Sequence, residues 1–213
     1  MKRTTATPPK RGRPFKYEAA KRQDKFLNHC LAQFMKLGYR NATMDGLAAT
    51  FGASKSTIYR RYGSKAGLLR TVMARGVPML REPLKAVSTD ARRTPRAVLH
   101  DYATLIQNYA NDPNIRAMWR AVSEAREDLG DALDEVARMS DEIQTPIVAY
   151  LAELDRSGRL AVGNAKVAAT CFTELASGGV SNFLGRPRDA RERRSAANFA
   201  VDLFLKGTLP RLS

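Results

Sequence analysis

Apolar residues recur along this chain with the spacing of an α-helix, and no stretch alternates between apolar and polar residues over the length of a strand. The clearest case lies near the start, where Phe26, Cys30 and Phe34 recur every four residues. This pattern predicts a helix over residues 18–37 that ends at Gly38 in a left-handed conformation. The same spacing continues to the end of the chain and predicts an all-α fold with about nine helices.

Residues 43–62 have the pattern of two short helices joined by a tight turn. Thr43 is placed to cap the first helix, Gly52 lies in the turn, and Ser54 is placed to cap the second helix. Two helices joined by a short glycine-containing turn form a helix-turn-helix. With the helix before them, they predict an N-terminal three-helix domain.

Capping residues and prolines predict the bounds of the later helices. Helix starts are expected at three capping residues, namely Ser64, Thr94 and Asp112. Pro78 and Pro83 are expected to bend or end the fourth helix, and Pro146 is expected to interrupt a long helix. The long helix and the last two helices are predicted over residues 129–154, 165–184 and 189–206.

Basic residues are concentrated in the first third of the chain. Residues 1–70 contain 16 Lys and Arg but only three acidic residues, whereas residues 71–213 contain 20 basic and 18 acidic residues. This asymmetry predicts an N-terminal unit that binds a polyanion, attached to a nearly neutral unit. The polyanion is nucleic acid or, less often, an anionic membrane surface.

Other classes of protein are disfavoured by what the sequence lacks. Cys30 and Cys171 lie far apart without a CxxC pattern, so neither a disulfide framework nor a zinc finger is expected. The chain has two histidines, no glycine-rich phosphate loop and no GxSxG motif, so we expect no catalytic residues, no metal site and no cofactor. Without a long apolar run or a secretory signal, the expected location is a reducing bacterial cytoplasm.

Residues 34–69 read FMKLGYRNATMDGLAATFGASKSTIYRRYGSKAGLL and closely resemble the DNA-binding domain of the TetR family of bacterial transcriptional regulators. The matching features are LGYRNAT, the Leu-Ala pair of the second helix, the Gly-Ala-Ser turn, Thr-Ile-Tyr in the third helix, and the aromatic-x-x-K-x-x-L-L that opens the fourth. The chain departs from the usual pattern at Gly46, Phe51, Ser56 and Gly67. The resemblance implies a homodimer that places one third helix per subunit into successive major grooves. It also implies a C-terminal helical domain that dimerises and usually binds a small molecule.

The domain organisation that follows has three parts. Residues 1–17 form a flexible basic arm, residues 18–65 the helix-turn-helix domain, and residues 66–213 the ligand-binding and dimerisation domain. The arm contains Arg-Gly-Arg-Pro, which resembles the minor-groove core of an AT-hook. Arg11 and Arg13 are therefore predicted to enter an A·T-rich minor groove, with a solvated tail as the alternative.

The exposed residues of the third helix are the predicted contacts to DNA. Lys55, Ser56 and Arg60 are placed to reach base edges, where a cation can donate to guanine O6 and N7. The predicted phosphate contacts are Thr43, Thr57, Tyr59, Arg61 and Lys65. In the family, the positions that match Thr43, Tyr59 and Lys65 commonly contact the backbone, although Tyr59 could instead be a packing residue.

The C-terminal unit holds the predicted interface and ligand residues. The two terminal helices carry large apolar faces that a two-fold partner would cover, and the alternative is packing within one chain. The predicted interface residues are Phe172, Leu175, Phe183, Phe199, Leu203 and Phe204. The predicted ligand contacts are Tyr102, Tyr109, Met118, Trp119, Met139, Tyr150 and Phe172, although Met and aromatic residues at helical spacing more often fill a core than line a pocket.

Together these features predict a transcriptional regulator that binds double-stranded DNA at a palindromic operator in the bacterial nucleoid. Repression relieved by a small lipophilic or aromatic effector is favoured. The alternatives are a ligand-independent DNA-binding or nucleoid-associated protein, an enzyme of a different class, and a peripheral membrane protein that uses its basic arm. No membrane partner is expected.

Overall fold

The computed structural model describes residues 13–87, 89–179 and 185–208. All regular secondary structure in these ranges is helical, which confirms the all-α prediction. Nine of the ten α-helices described are longer than one turn. The helices are α1 (Arg13–Asn41), α2 (Met44–Phe51), α3 (Lys55–Tyr62), α4 (Lys65–Lys85), α5 (Pro95–Asn111), α6 (Pro113–Glu124), α7 (Arg126–Leu129), a 3-10 turn (Gly130–Ala132), α8 (Leu133–Arg156), α9 (Ala165–Ser177) and α10 (Ala190–Thr208).

The first helix begins five residues earlier than its apolar pattern predicts, at Arg13. Its regular geometry breaks at Gly38, as predicted, but with a φ of 76° and a ψ of 163° this glycine is extended with positive φ and is not in the predicted left-handed helical conformation. The predicted DNA contacts of Arg11 and of the Arg13 side chain lie outside the described residues, as does the predicted interface residue Phe183.

Side-chain caps start most of the helices where the sequence predicts them. The Thr43 hydroxyl accepts a hydrogen bond from the Gly46 amide at 3.0 Å, and Ser64 accepts from the Gly67 amide at 3.1 Å. Thr94 and Asp112 likewise cap α5 and α6. Ser54 differs from its prediction, because its hydroxyl is hydrogen-bonded to the Ser56 hydroxyl at 2.8 Å and makes no bond to the helix backbone.

The predictions that Pro78 or Pro83 ends the fourth helix and that Pro146 interrupts the long helix are wrong, whereas the alternative of a bend at Pro78 or Pro83 stays a prediction. Helix α4 continues through Pro78 and Pro83, and α8 continues through Pro146. The prolines of α4 are exposed, so the carbonyls that they leave without an amide partner can bond to water. Helices α4 and α8 also pack along each other, which stabilises both. Helix α9 ends at Ser177, earlier than predicted, because Gly178 adopts the left-handed conformation.

Two hydrophobic clusters hold the helices together. The first cluster joins α1, α2, α3 and the start of α4 to residues of α6, α7 and α8. The second cluster joins α5, α8, α9 and α10 to the end of α4. We call α1–α3 the head and α4–α10 the body. Helix α4 belongs to both clusters, since it contributes Leu68 and Leu69 to the first and Leu84 to the second.

The start of α4 passes very close to the end of α3. A Cβ atom at Gly67 would collide with the main-chain carbonyl oxygen of Tyr62, and this neighbour is backbone that cannot rotate away. Glycine at this position therefore permits the close approach of the two helices. Further along the same helix, Gly76 has open space around the position of its Cβ.

We predict opposite effects of alanine at these two glycines. Gly67→Ala should lower the free energy of unfolding by about 1–3 kcal/mol, the usual cost of overpacking. Gly76→Ala should raise it by about 0.5–1 kcal/mol, because alanine favours a helix interior. Urea unfolding followed by circular dichroism measures both variants. Equal stability of the two would contradict the close approach.

Candidate nucleic-acid interface and ligand cavity

Helix α3 is fixed to the head by few side chains and exposes the rest of its circumference. Ile58 is its buried anchor, and Tyr62 is half-buried against Phe26, with ring centroids 5.6 Å apart. The outward residues predicted to contact DNA are all exposed, namely Lys55, Ser56, Thr57, Tyr59, Arg60 and Arg61. A helix held by one narrow apolar stripe can enter a groove without losing its packing.

Lys55 is the first residue of α3 and forms an ion pair with Asp45 of α2. Its Nζ lies 2.6 Å from the Asp45 carboxylate, and the two side chains are 63% and 51% exposed. The hydrogen bond that the Lys55 ammonium donates to the Asp45 carboxylate raises the pKa of Lys55 above its usual value. The predicted base-contacting cation is therefore held by a carboxylate that the sequence interpretation did not single out.

Other cations of the head differ in how firmly they are held. The Arg61 guanidinium donates a hydrogen bond to the Gln23 side chain of α1. No hydrogen bond or ion pair is recorded for the Arg60 side chain within the described ranges, and this side chain is exposed. Arg60 can therefore turn toward a phosphate or a base edge without giving up a contact within the head.

Lys65 lies at the junction of the head and the body. Its ammonium donates to the Tyr39 carbonyl oxygen at 2.8 Å and lies 4.2 Å from the centre of the Tyr39 ring. The Tyr39 hydroxyl in turn donates to Asp128 at 2.8 Å. Lys65 therefore caps the C-terminal end of α1. Its predicted phosphate contact stays a prediction.

A cavity of about 500 Å³ lies in the body between α4, α5, α6, α8 and α9. Its wall is mostly apolar. Arg120, Arg126 and Glu174 are lining residues that are also exposed, so they lie at the opening. The Thr173 hydroxyl is buried in the wall without a hydrogen-bond partner in the described structure. An apolar cavity with few polar groups suits a lipophilic or aromatic molecule.

Two of the predicted ligand residues, Tyr109 and Trp119, line this cavity. The Tyr109 hydroxyl is fixed by a hydrogen bond to the Leu80 carbonyl oxygen at 2.9 Å. The other predicted ligand residues lie elsewhere: Tyr102, Tyr150 and Phe172 are buried in the second cluster, Met118 packs against the first, and Met139 is half-buried on α8 outside the lining. Burial raises the pKa of Tyr102 to about 12, so its hydroxyl remains protonated.

Sequence interpretation missed the contribution of α4 and α8 to the cavity wall. Leu80, Leu84, Ser140 and Gln144 line it. Leucines at helical spacing on α4 look the same in the sequence whether they fill a core or face a cavity. On α8, the polar Ser140 and Gln144 lie on the same face as Ile143 and Ile147, and these two polar residues are the sequence signal of open space.

Helices α9 and α10 carry an apolar surface that is exposed in the single chain. Val167, Leu175, Phe199 and Leu203 are its members, and Phe199 is 67% exposed. Leu175, Phe199 and Leu203 were predicted as interface residues. Phe172 and Phe204 were predicted as well, but they point the other way and pack against each other, with ring centroids 5.2 Å apart. They belong to the core of one chain.

Helix α6 connects the cavity to the head. It packs along α1, and its Val122 side chain lines the cavity and also belongs to the first cluster. Beside it, the Glu124 carboxylate accepts a hydrogen bond from the Arg40 amide at 3.2 Å. A shift of α6 therefore changes contacts both at the cavity wall and at the end of α1.

Neither a membrane-spanning helix nor a metal site is present in the ranges that the structure describes. None of the helices there is long and apolar enough to cross a membrane. No group of three His, Cys, Asp or Glu side chains in the same ranges is placed to hold a metal ion.

Family models match both parts of the chain. A model described as bacterial regulatory proteins of the tetR family matches residues 27–72. A second model, described as the C-terminal domain of AefR-like transcriptional repressors, matches residues 97–207, more than half of the chain. No curated protein sequence matches the chain.

Solved structures share this fold at low sequence identity. A protein assigned to the TetR family of transcriptional regulators, from Mesorhizobium loti, has a TM-score of 0.74 and 17% identity over 90% of this chain and 98% of that one. The flavonoid-responsive regulator FrrA has a TM-score of 0.71 and 20% identity over 91% and 100%. A TetR transcriptional regulator from Agrobacterium tumefaciens has a TM-score of 0.69 and 23% identity over 90% and 96%.

Proposed function

The chain belongs to the TetR family of bacterial regulatory proteins, and from this premise we propose that it is a repressor that binds a palindromic operator as a homodimer and is released by a small lipophilic or aromatic ligand. The observation that carries the proposal is the exposed, cationic α3, anchored in the head by Ile58. The net charge of residues 1–70, with 16 basic and three acidic residues, supports a polyanionic partner.

The roles proposed for the head residues follow from their chemistry. Lys55, Ser56 and Arg60 read base edges in the major groove. The residues that hold phosphates and so fix the register are Thr43, Thr57, Tyr59, Arg61 and Lys65. Arg11 and Arg13 of the arm enter the neighbouring minor groove.

Selection of duplex DNA from a random pool by the full chain tests this function. We expect a short palindrome to be enriched. If each subunit neutralises roughly four to six phosphates, log K for the palindrome should fall with log salt with a slope of about −7 to −11. Arg60→Ala should lower affinity for the palindrome more than for random DNA, and the control Arg138→Ala, an exposed change on α8, should alter neither. A pool without an enriched sequence would contradict the proposed function.

The homodimer is proposed to form through the exposed apolar surface of α9 and α10. Two recognition helices must lie about one DNA turn apart, which requires a fixed contact between subunits. Burial of Val167, Leu175, Phe199 and Leu203 against the same residues of a second copy removes this surface from water. Cys171 lies one helical turn from both Val167 and Leu175, so it shares their face and is covered with them.

We predict that Phe199→Glu separates the dimer and exposes Cys171. Light scattering should show a dimer for the wild type and a monomer for the variant. A thiol reagent should react with one cysteine per variant chain, and Cys171→Ser in the same background should abolish that reaction. Cys30 should stay unreactive in both, because it is buried and burial raises the pKa of its thiol to about 12.

Met79→Glu is the matched control, since Met79 is exposed on α4 rather than on the α9–α10 surface. It should leave the dimer intact and Cys171 protected. Equally fast reaction of Cys171 in wild type and in Phe199→Glu would contradict the proposed interface.

Release by a ligand is proposed to act through α6. A molecule that fills the cavity pushes on the Val122 side of this helix, and the same helix supports α1 in the head. A ligand that binds better when the two heads have the wrong spacing lowers operator affinity by the same differential free energy. The apolar wall, the Thr173 hydroxyl and the guanidiniums of Arg120 and Arg126 favour a molecule with an apolar body and a polar end.

A further inference from the structure

The ion pair between Asp45 and Lys55 lies in the surface of the head that carries α3. Asp45 is in the first turn of α2 and Lys55 is the first residue of α3, so the pair bridges the two helices of the helix-turn-helix. Both side chains are more than half exposed. The pair therefore lies where DNA would contact the head, outside the packed core.

The presence of a carboxylate in this surface needs a physical reason. Residues 1–70 contain three acidic residues, and Asp45 is one of them. A carboxylate beside the phosphates weakens binding to every DNA sequence. An exposed ion pair also adds little to folding stability. As a first-turn residue of α2, Asp45 also interacts favourably with the helix dipole, an effect that does not require Lys55. DNA affinity therefore does not account for Asp45, and helix stability accounts for its charge but not for its pairing with Lys55.

The donor count of lysine provides a reason. An ammonium group has three N–H donors. When one donates to Asp45, two remain, and these match the O6 and N7 acceptors that guanine presents in the major groove. At a guanine, Lys55 can thus keep its carboxylate partner and still bind the base.

On DNA without that guanine, Lys55 can either stay paired with Asp45 or turn to a phosphate, and both arrangements are unfavourable. If it stays with Asp45, the head loses one phosphate contact. If it turns to a phosphate, the Asp45 carboxylate is left unpaired and partly desolvated beside a polyanion, which is costly.

We propose that Asp45 is a specificity-determining residue that positions Lys55 for a guanine of the operator and penalises binding to other DNA. This inference rests on the proposed DNA-binding function. In this role, Asp45 weakens binding to DNA that lacks the guanine and does not strengthen binding to the operator.

The test compares Asp45→Asn, Lys55→Met and the double variant with the wild-type full chain, on the palindrome selected by the wild type and on random duplex DNA. Asp45→Asn should raise affinity for random DNA about tenfold and should steepen its salt slope by about two per dimer, because Lys55 becomes free to bind a phosphate. Affinity for the palindrome should change less than about threefold, so discrimination falls. In the Lys55→Met background, Asp45→Asn should raise affinity for both DNAs equally.

Two further variants separate this role from the general effect of charge and from damage to the fold. Asp24→Asn removes the same charge from α1 of the head, where Asp24 pairs with Arg75 at 3.5 Å, and should leave discrimination unchanged. Asp45→Glu keeps a carboxylate within reach of Lys55 and should retain discrimination within about threefold. Urea unfolding of each variant establishes that the comparison is made on folded protein.

The outcomes distinguish the inference from the function on which it rests. If Asp45→Asn strengthens binding to the palindrome and to random DNA by the same factor, the inference is overturned and the proposed function stands. The same holds if the effect of Asp45→Asn persists unchanged in the Lys55→Met background. If the wild type prefers no sequence, the proposed function fails, and the inference fails with it.

Discussion

The first hydrophobic cluster is the constraint on which the rest of the structure depends, because it makes the head and the body share one core. Side chains of α1–α3 pack against the start of α4 and against Ala121, Val122 and Ala125 around the end of α6. Two hydrogen bonds beside this core also join the head to the body: the Tyr39 hydroxyl donates to Asp128, and the Arg40 amide donates to Glu124. The head therefore has no flexible linker to the body, and its orientation is set by the helices that also line the cavity.

The proposed dimer contact and the proposed DNA contacts lie in different parts of the molecule. The second cluster fixes α5, α8, α9 and α10 and leaves exposed the apolar surface that includes Phe199, which is the proposed contact with a second copy. In the head, Ile58 is the buried residue of α3 and most of the other side chains of this helix are exposed, so Lys55 and Arg60 face outward. Gly67, which has no Cβ atom, permits the close approach of α4 to the end of α3. The proposed two-fold contact between bodies would then set the spacing of the heads.

Local sequence signals predicted the helices and the caps, since Thr43, Ser64 and Asp112 act within one turn of their own position. Features that depend on packing between distant helices were less accessible. The prolines of α4 and α8 are tolerated because the two helices support each other. The sequence showed that α9 and α10 are rich in apolar residues, but not which of these residues face the core of the same chain. Phe172 and Phe204 face that core and were therefore wrongly assigned to the interface. The ion pair of Asp45 with Lys55 joins residues of different helices and has no one-turn spacing to reveal it.

The most direct test of this account is the operator affinity of a chain whose cavity has been filled. Ser140→Phe places a ring into the cavity from α8, and Ala137→Phe adds the same ring at an exposed position of that helix, outside the lining. If the cavity and the head are coupled through the shared core, Ser140→Phe should weaken operator binding about tenfold or more, equivalent to at least about 1.4 kcal/mol of coupling. Ala137→Phe should bind as the wild type does. Equal operator affinity of the two folded variants would contradict the account.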